Sequence, residues 1–218
     1  QVANVFAASP NEGVEFDTSD ILIPKILLMQ GSSKLVGAGK AQIGDMVNSV
    51  TNEKLGDKTK GILFAPINTY KTMTVMKLKG GQFVFDKSEP WTPAHATRAF
   101  EETINGEQFK NYPTLNFFVM LDSELKKAGA MPCLISFKST SLKAGKKIIN
   151  HFATATEIGQ KPCSGMLTLT CKLENNKQGQ PYHAFDISFS GDTPAEYGPK
   201  LLRWEALLKQ QTVKVDNA

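Results

Sequence analysis

Met166 to Leu173 alternates without a break, with Leu167, Leu169, Cys171 and Leu173 on one side and Met166, Thr168, Thr170 and Lys172 on the other. Tyr182 to Phe189 repeats the pattern with His183, Phe185, Ile187 and Phe189 inward, and the link ENNKQGQP joins the two runs. A period of two buries one face and wets the other, so the pair reads as an antiparallel hairpin. Upstream, Met46 to Val50, Gly61 to Ile67, Thr72 to Leu78 and Gln82 to Asp86 read as strands. Turns at Asn52-Glu53, Gly56-Asp57 and Lys79-Gly80-Gly81 separate them. Thr114 to Leu121, TLNFFVML, is a buried-strand candidate. Many strands, few helices and no βαβ alternation place the chain in the mainly β (α+β) class. The expected architecture is an antiparallel OB-like barrel or sandwich with one or two packed helices.

The stretch from Met131 to Phe152, MPCLISFKSTSLKAGKKIINHF, joins a strand at Pro132 to Lys138 to a helix that Ser139-Thr140-Ser141 can cap. At about 100° per residue, Leu142, Gly145, Ile148, Ile149 and Phe152 share one helix face. Lys143, Lys146, Lys147 and Asn150 share the other, and Lys138 adds a cation just before the helix. No acidic residue lies between Leu134 and Thr156, so these lysines face solvent, a distant carboxylate or an anionic ligand such as a phosphodiester backbone.

A second concentration of chemistry lies around the Gly80-Gly81 turn, where Tyr70, Lys71, Lys77, Lys79, Phe83, Phe85 and Trp91 interleave rings with cations. Such a run suits stacking of bases beside neutralised phosphates. The alternation of Phe83 and Phe85 with Gln82 and Val84 equally fits burial in a core.

Residues 1–19 read as a flexible arm, and 20–218 as one β-rich domain. Within that domain Pro24 makes Ile21 to Met29 extended, 90–113 reads as a loop insertion with a short helix at Ala94 to Glu102, and Thr154 to Pro162 reads as a link. A terminal helix is expected at 199–211, with Tyr197, Leu201, Trp204 and Leu208 as its apolar stripe. The glycines between Gly31 and Gly44 match no phosphate-loop spacing. Cys133, Cys163 and Cys171 are odd in number and set in apolar surroundings, as reduced thiols of a cytoplasmic protein are. With no C-x-x-C and no H-x-x-x-H spacing, neither a metal nor another cofactor is expected. No apolar run approaches the about 20 residues of a membrane span. A net charge of +4 permits nucleic-acid binding without demanding it.

The segments DILIPKILLMQGSS, GKAQIGDMVNS and SFKSTSLKAGKKI, followed by a Tyr/Phe-rich hairpin and a Trp-bearing terminal helix, resemble proteins of tailed bacteriophages. Among these it is similar to single-stranded DNA-binding proteins of the OB-fold, gene-2.5-like kind. The resemblance implies a non-enzymatic protein that coats single-stranded DNA in replication or recombination, with Lys138, Lys143, Lys146 and Lys147 on phosphates and exposed aromatics stacking on bases. Replication or recombination proteins and further copies of the chain are the implied partners, and the host cytoplasm the implied location. Many such proteins end in an acidic tail, whereas this chain ends VKVDNA. The alternative is a phage structural protein that assembles with itself through Ile21 to Met29 and the terminal helix. No triad or paired-carboxylate spacing supports an enzyme.

Overall fold

A computed structural model describes residues 22–176 and 179–210. The expected N-terminal arm, the middle of the ENNKQGQP link and the VKVDNA terminus lie outside the described residues. Two long antiparallel strands form the spine: β4 (Ile62–Lys79) and β7 (Glu107–Leu121), paired from Phe64↔Leu121 to Lys77↔Phe109. The register shifts between Pro66 and Asn68, where proline has no N–H to give to the ladder. At one end of the spine β9 (Gly165–Asn175) pairs with β4 and β8 (Cys133–Lys138) with β7. At the other end β5 (Gln82–Pro90) pairs with β4 and β6 (Glu101–Ile104) with β7. β10 (Pro181–Asp192) extends the sheet beyond β9.

A small sheet of β1 (Ile26–Leu28), β2 (Met46–Asn48) and β3 (Lys54–Gly56) sits across the opening. The segment at β1 touches both edges of the large sheet. Leu134 N–H donates to Pro24 O at 2.8 Å. The Gln30 amide donates to His183 O at 2.7 Å and accepts from His183 N–H at 3.2 Å, so a side chain takes the place of a backbone partner. The result is mainly antiparallel β with a curled half-barrel sheet and a few helices, an OB-like α+β fold.

β7 reads as a continuous apolar run because both of its faces are covered. Phe117 and Val119 point into a core with Phe64, Phe137, Phe185 and the helix α3 (Leu142–Glu157). Phe118 and Met120 point the other way, against Leu134 and the helix α4 (Gly198–Gln210), which contributes Leu201 and Leu208. Gly145 lets α3 approach closely: a Cβ there would sit 3.0 Å from the Phe137 Cβ. Trp204 is half-buried at the margin of the second core, its indole N–H donating to Ala130 O at 2.9 Å.

Several sequence expectations are corrected. The runs Gly61 to Ile67 and Thr72 to Leu78 are parts of one strand, β4. The loop insertion at 90–113 holds a single 3₁₀ turn (Pro93–Ala96), β6 and the first half of β7, in place of a loop with a helix at Ala94 to Glu102. Its turn is Asn105-Gly106, both at positive φ (52° and 79°), the pair that a tight hairpin favours. The link from Thr154 is helical as far as Glu157 because Ala155 is still buried. Leu173 and Phe189, placed inward by strict alternation, are 64% and 62% exposed. A bulge between Phe189 and Gly191 ends the regular alternation of β10 there. Leu201 is 1% exposed and Leu202 is 44% exposed. Leu201→Ala should lower unfolding free energy by about 2 to 5 kcal/mol in urea titration, with Leu202→Ala within about 0.5 kcal/mol of the parent.

Candidate nucleic-acid interface

Along one face of the sheet, residue character changes at fixed spacing. Tyr70, Phe118 and Leu134 lie in the α4-covered core. Two residues further along each strand come Thr72, Asn116 and Ser136, then Thr74, Thr114 and Lys138. Where the helix cover stops, a groove of about 1070 Å³ begins. Its floor is a hydrogen-bonded row. Ser136 Oγ donates to Asn116 Oδ1 at 2.7 Å, Asn116 Nδ2 donates to Thr72 Oγ1 at 3.0 Å, and the Thr74 and Thr114 hydroxyls share a bond of 2.7 Å. Thr72, Thr74, Thr114 and Asn116 are buried, so this mutual pairing offsets their desolvation. β1 and the Tyr182–Phe185 part of β10 form one wall, and Phe85, Ser88 and Trp91 another. Lys25, Lys71, Lys138 and His183 also line the groove, and among the described residues no Asp or Glu does.

Lys138 stands where β8 turns into the helical segment, with its ammonium 5.9 Å from the Tyr112 ring centroid. Its tip reaches solvent, yet the surrounding wall desolvates the cation and lowers its pKa. Lys71 lies over Trp91, its Nζ 3.2 Å from the ring centroid. Desolvation, and then the charge of Lys146, lower its pKa as well. A cation of α3 therefore stands within the field of a cation on β4. Among the described residues, none of Lys71, Lys138, Lys143 and Lys146 has a carboxylate within ion-pair distance.

Trp91 is held from behind. Its N–H donates to Lys71 O at 3.1 Å. Thr92 N–H donates to His95 Nδ1 at 2.9 Å, which leaves the His95 proton on Nε2, facing Glu89 at 3.0 Å. Glu89 also accepts from Lys87 at 2.6 Å and from Arg98 at 2.9 Å, and Arg98 closes the cluster on Glu102.

The family model described as Pam3 phage gp34-like protein matches residues 4–210. The chain belongs to that family. No curated protein and no solved structure matches it. Membership makes this a phage protein, and what it binds has to be argued from its own residues.

In this gp34-like chain the two stretches singled out in the sequence meet at one groove: Lys71, Trp91, Phe85 and Tyr70 from one, Lys138 from the other, with Lys146 beside Lys71. Phe85 is 41% exposed and Phe83 lies beneath Lys110 Nζ at 4.4 Å; neither belongs to a hydrophobic core. Tyr70 is half-buried against Phe118 at 5.5 Å, and burial pushes its hydroxyl up, so it is a wall and not an open platform. Lys143 is exposed on α3, and Lys79 at the end of β4. Two lysines have partners that the sequence could not show. Lys147 donates to Asp186 at 2.6 Å and to Ile187 O at 3.0 Å, because α3 packs beside β10. Lys77 pairs with Glu107 at 2.6 Å across the spine. The groove floor and Tyr182 were missed; the polar positions Thr72, Thr74, Thr114 and Asn116 inside buried runs were the available signal. Cys133, Cys163 and Cys171 are free and buried, and burial pushes the Cys133 thiol up to about 12. Among the described residues no group of three His, Cys, Asp or Glu side chains is placed to hold a metal ion, and no helix is long and apolar enough to cross a membrane.

The hydrogen bond from Lys87 depresses the Glu89 carboxyl, burial opposes it, and His95 and Arg98 add to the depression. A folded pKa below the unfolded one contributes stability above the ordinary value of about 4.3 and loses it as pH falls through the lower folded value. Glu89→Gln should therefore flatten the acid side of a melting-temperature profile below about pH 4.3. A profile with unchanged steepness would remove Glu89 as the support of Trp91.

Proposed function

We propose that this phage protein binds single-stranded DNA without sequence preference, as a non-enzymatic accessory of replication or recombination in the host cytoplasm. The observation that carries the reading is the groove that Lys71, Lys138 and Trp91 line with no carboxylate among the described residues. A polyanion supplies the missing counter-charge, and release of its condensed cations drives association. Exposed Phe85 and the indole of Trp91 offer stacking surfaces, which suit unpaired bases and read their faces rather than their edges. The OB-like fold is compatible with such a ligand, although fold alone assigns no function.

The self-assembly reading draws less support. Ile23, Ile26 and Met29 are buried within the same chain, as are Leu201 and Leu208, which leaves Leu22, Leu27 and Leu202 as the exposed large apolar residues of those two elements.

Each lysine removed from a phosphate should make the slope of log affinity against log salt shallower by about 0.7. Replacing Lys71, Lys138 and Lys146 together by Gln should therefore reduce it by roughly 2 units in fluorescence anisotropy with a labelled oligonucleotide. Lys147→Gln should leave the slope unchanged, since its ammonium is engaged with Asp186 and Ile187. Equal affinity for a duplex of the same length would refute single-strand selectivity, and an unchanged slope in the folded triple variant would remove the groove as the site.

A further inference from the structure

The Trp91 indole, the largest aromatic surface on the groove, is not bare. Lys71 Nζ stands 3.2 Å from its centroid, close enough that a base cannot stack on the same face while the lysine remains there. His95 lies at 5.6 Å on a tilted plane, and the Glu89 cluster fixes that histidine, so the indole is held in place. The lysine is the more mobile of the two, with a long stem and no carboxylate among the described residues to anchor it.

We infer that Lys71 is an exchangeable cap on the base-stacking platform: in the unbound protein its ammonium occupies the face of Trp91, and on binding a nucleobase takes that face while Lys71 moves to the adjoining phosphate. This rests on the single-strand reading above and adds to it a defined order of contacts within one nucleotide. Two consequences follow from having one cation serve two partners. A phosphate without a base draws Lys71 away and leaves the indole open. A base without a phosphate must displace the cation with nothing to receive it. The cap therefore selects for a ligand carrying both groups at nucleotide spacing, and discriminates against free aromatic compounds and against plain polyanions. Lys71 is exposed, so its cation–π contact biases the capped over the open state by about two- to fivefold.

Acrylamide quenching of tryptophan emission tests the unbound state, with Trp91→Phe used to subtract the signal of Trp204. Lys71→Gln should raise quenching of Trp91 by about twofold or more in the free protein, while Lys71→Arg, which stacks as well, should not. Binding of an oligothymidylate and of an abasic oligonucleotide of equal length tests the exchange. In the parent protein the abasic strand should raise Trp91 quenching and the oligothymidylate should not. The affinity of Lys71→Gln for oligothymidylate should be weaker than the parent's at low salt and tighter at high salt, so the two lines cross. A residue that only touches phosphate gives weaker binding throughout, converging without crossing. Unchanged quenching in Lys71→Gln, or lines that never cross while the parent binds normally, overturns the cap and leaves the single-strand reading intact. Failure of the parent to bind any oligonucleotide overturns both.

Discussion

The antiparallel pairing of β4 with β7 continues unbroken on both sides of its one bulge, from Phe64↔Leu121 to Lys77↔Phe109, and no other strand in the large sheet covers the whole of that length. This fixes the plan of the molecule. Each flank of the ribbon is filled by two shorter strands in succession, β9 then β5 along β4, and β8 then β6 along β7. Because side chains alternate across each strand, one register error would send Phe117 and Phe118 to each other's faces and expose both cores at once. The bulge at Pro66 marks one end of that register, and beyond the other end the tight Gly80-Gly81 turn pins the register of β4 with β5; both glycines have positive φ, as a two-residue hairpin turn demands.

A groove on such a spine needs a stretch of sheet face that neither helix covers. α4 is anchored by Leu201 and Leu208 over Phe118 and Leu134, and Leu208 lines the start of the groove. Beyond that point the same face turns to hydroxyls and amides that satisfy one another. An apolar face of this size would be an aggregation hazard in a monomer, whereas a self-paired polar row can stand empty and still accept a hydrated ligand. The rim is where the charge is placed, with Lys138 set at the end of β8 and Lys71 at the middle of β4.

Much of the sheet was legible because strands covered on one face announce themselves by a period of two, as β9 and β10 did. The helix α3 was legible by its two contrasting faces. What the sequence could not show was partnership at long range. Lys147 sits on the same helical stripe as Lys143 and Lys146, yet Asp186 is 39 residues away and becomes its partner only because α3 lies beside β10. The merging of two runs into β4 was hidden by Pro66 and by the polar pair Asn68-Thr69, which read as a break between strands. The Asn105-Gly106 hairpin was available in the sequence and was masked by the charge of its flanks, Glu101, Glu102 and Glu107, which suit strands that are exposed at an edge.

The uneven treatment of charge bears most directly on what the groove is for. Elsewhere several lysines are closely paired, Lys54 with Asp45, Lys161 with Glu205, Lys172 with Glu174 and Lys209 with Glu205, while others such as Lys34, Lys58 and Lys79 form no ion pair among the described residues. Beside the groove, desolvation and the nearby charge of Lys146 weaken the hold of Lys71 on its proton with no acid among the described residues at ion-pair distance, and Lys138 is desolvated by its own wall. Asp45 and Glu205 are buried carboxylates, so their lysines compensate a desolvated charge, and each pairing keeps its surface locally neutral. The lysines at the groove place positive charge on one concave surface of a chain whose net charge is only +4. Such self-repulsion would destabilise the unbound state slightly, and under the proposed single-strand reading the phosphates of the ligand would relieve it. Composition alone could not show this placement, because a weak global imbalance can hold a stronger local one where carboxylates pair with other lysines.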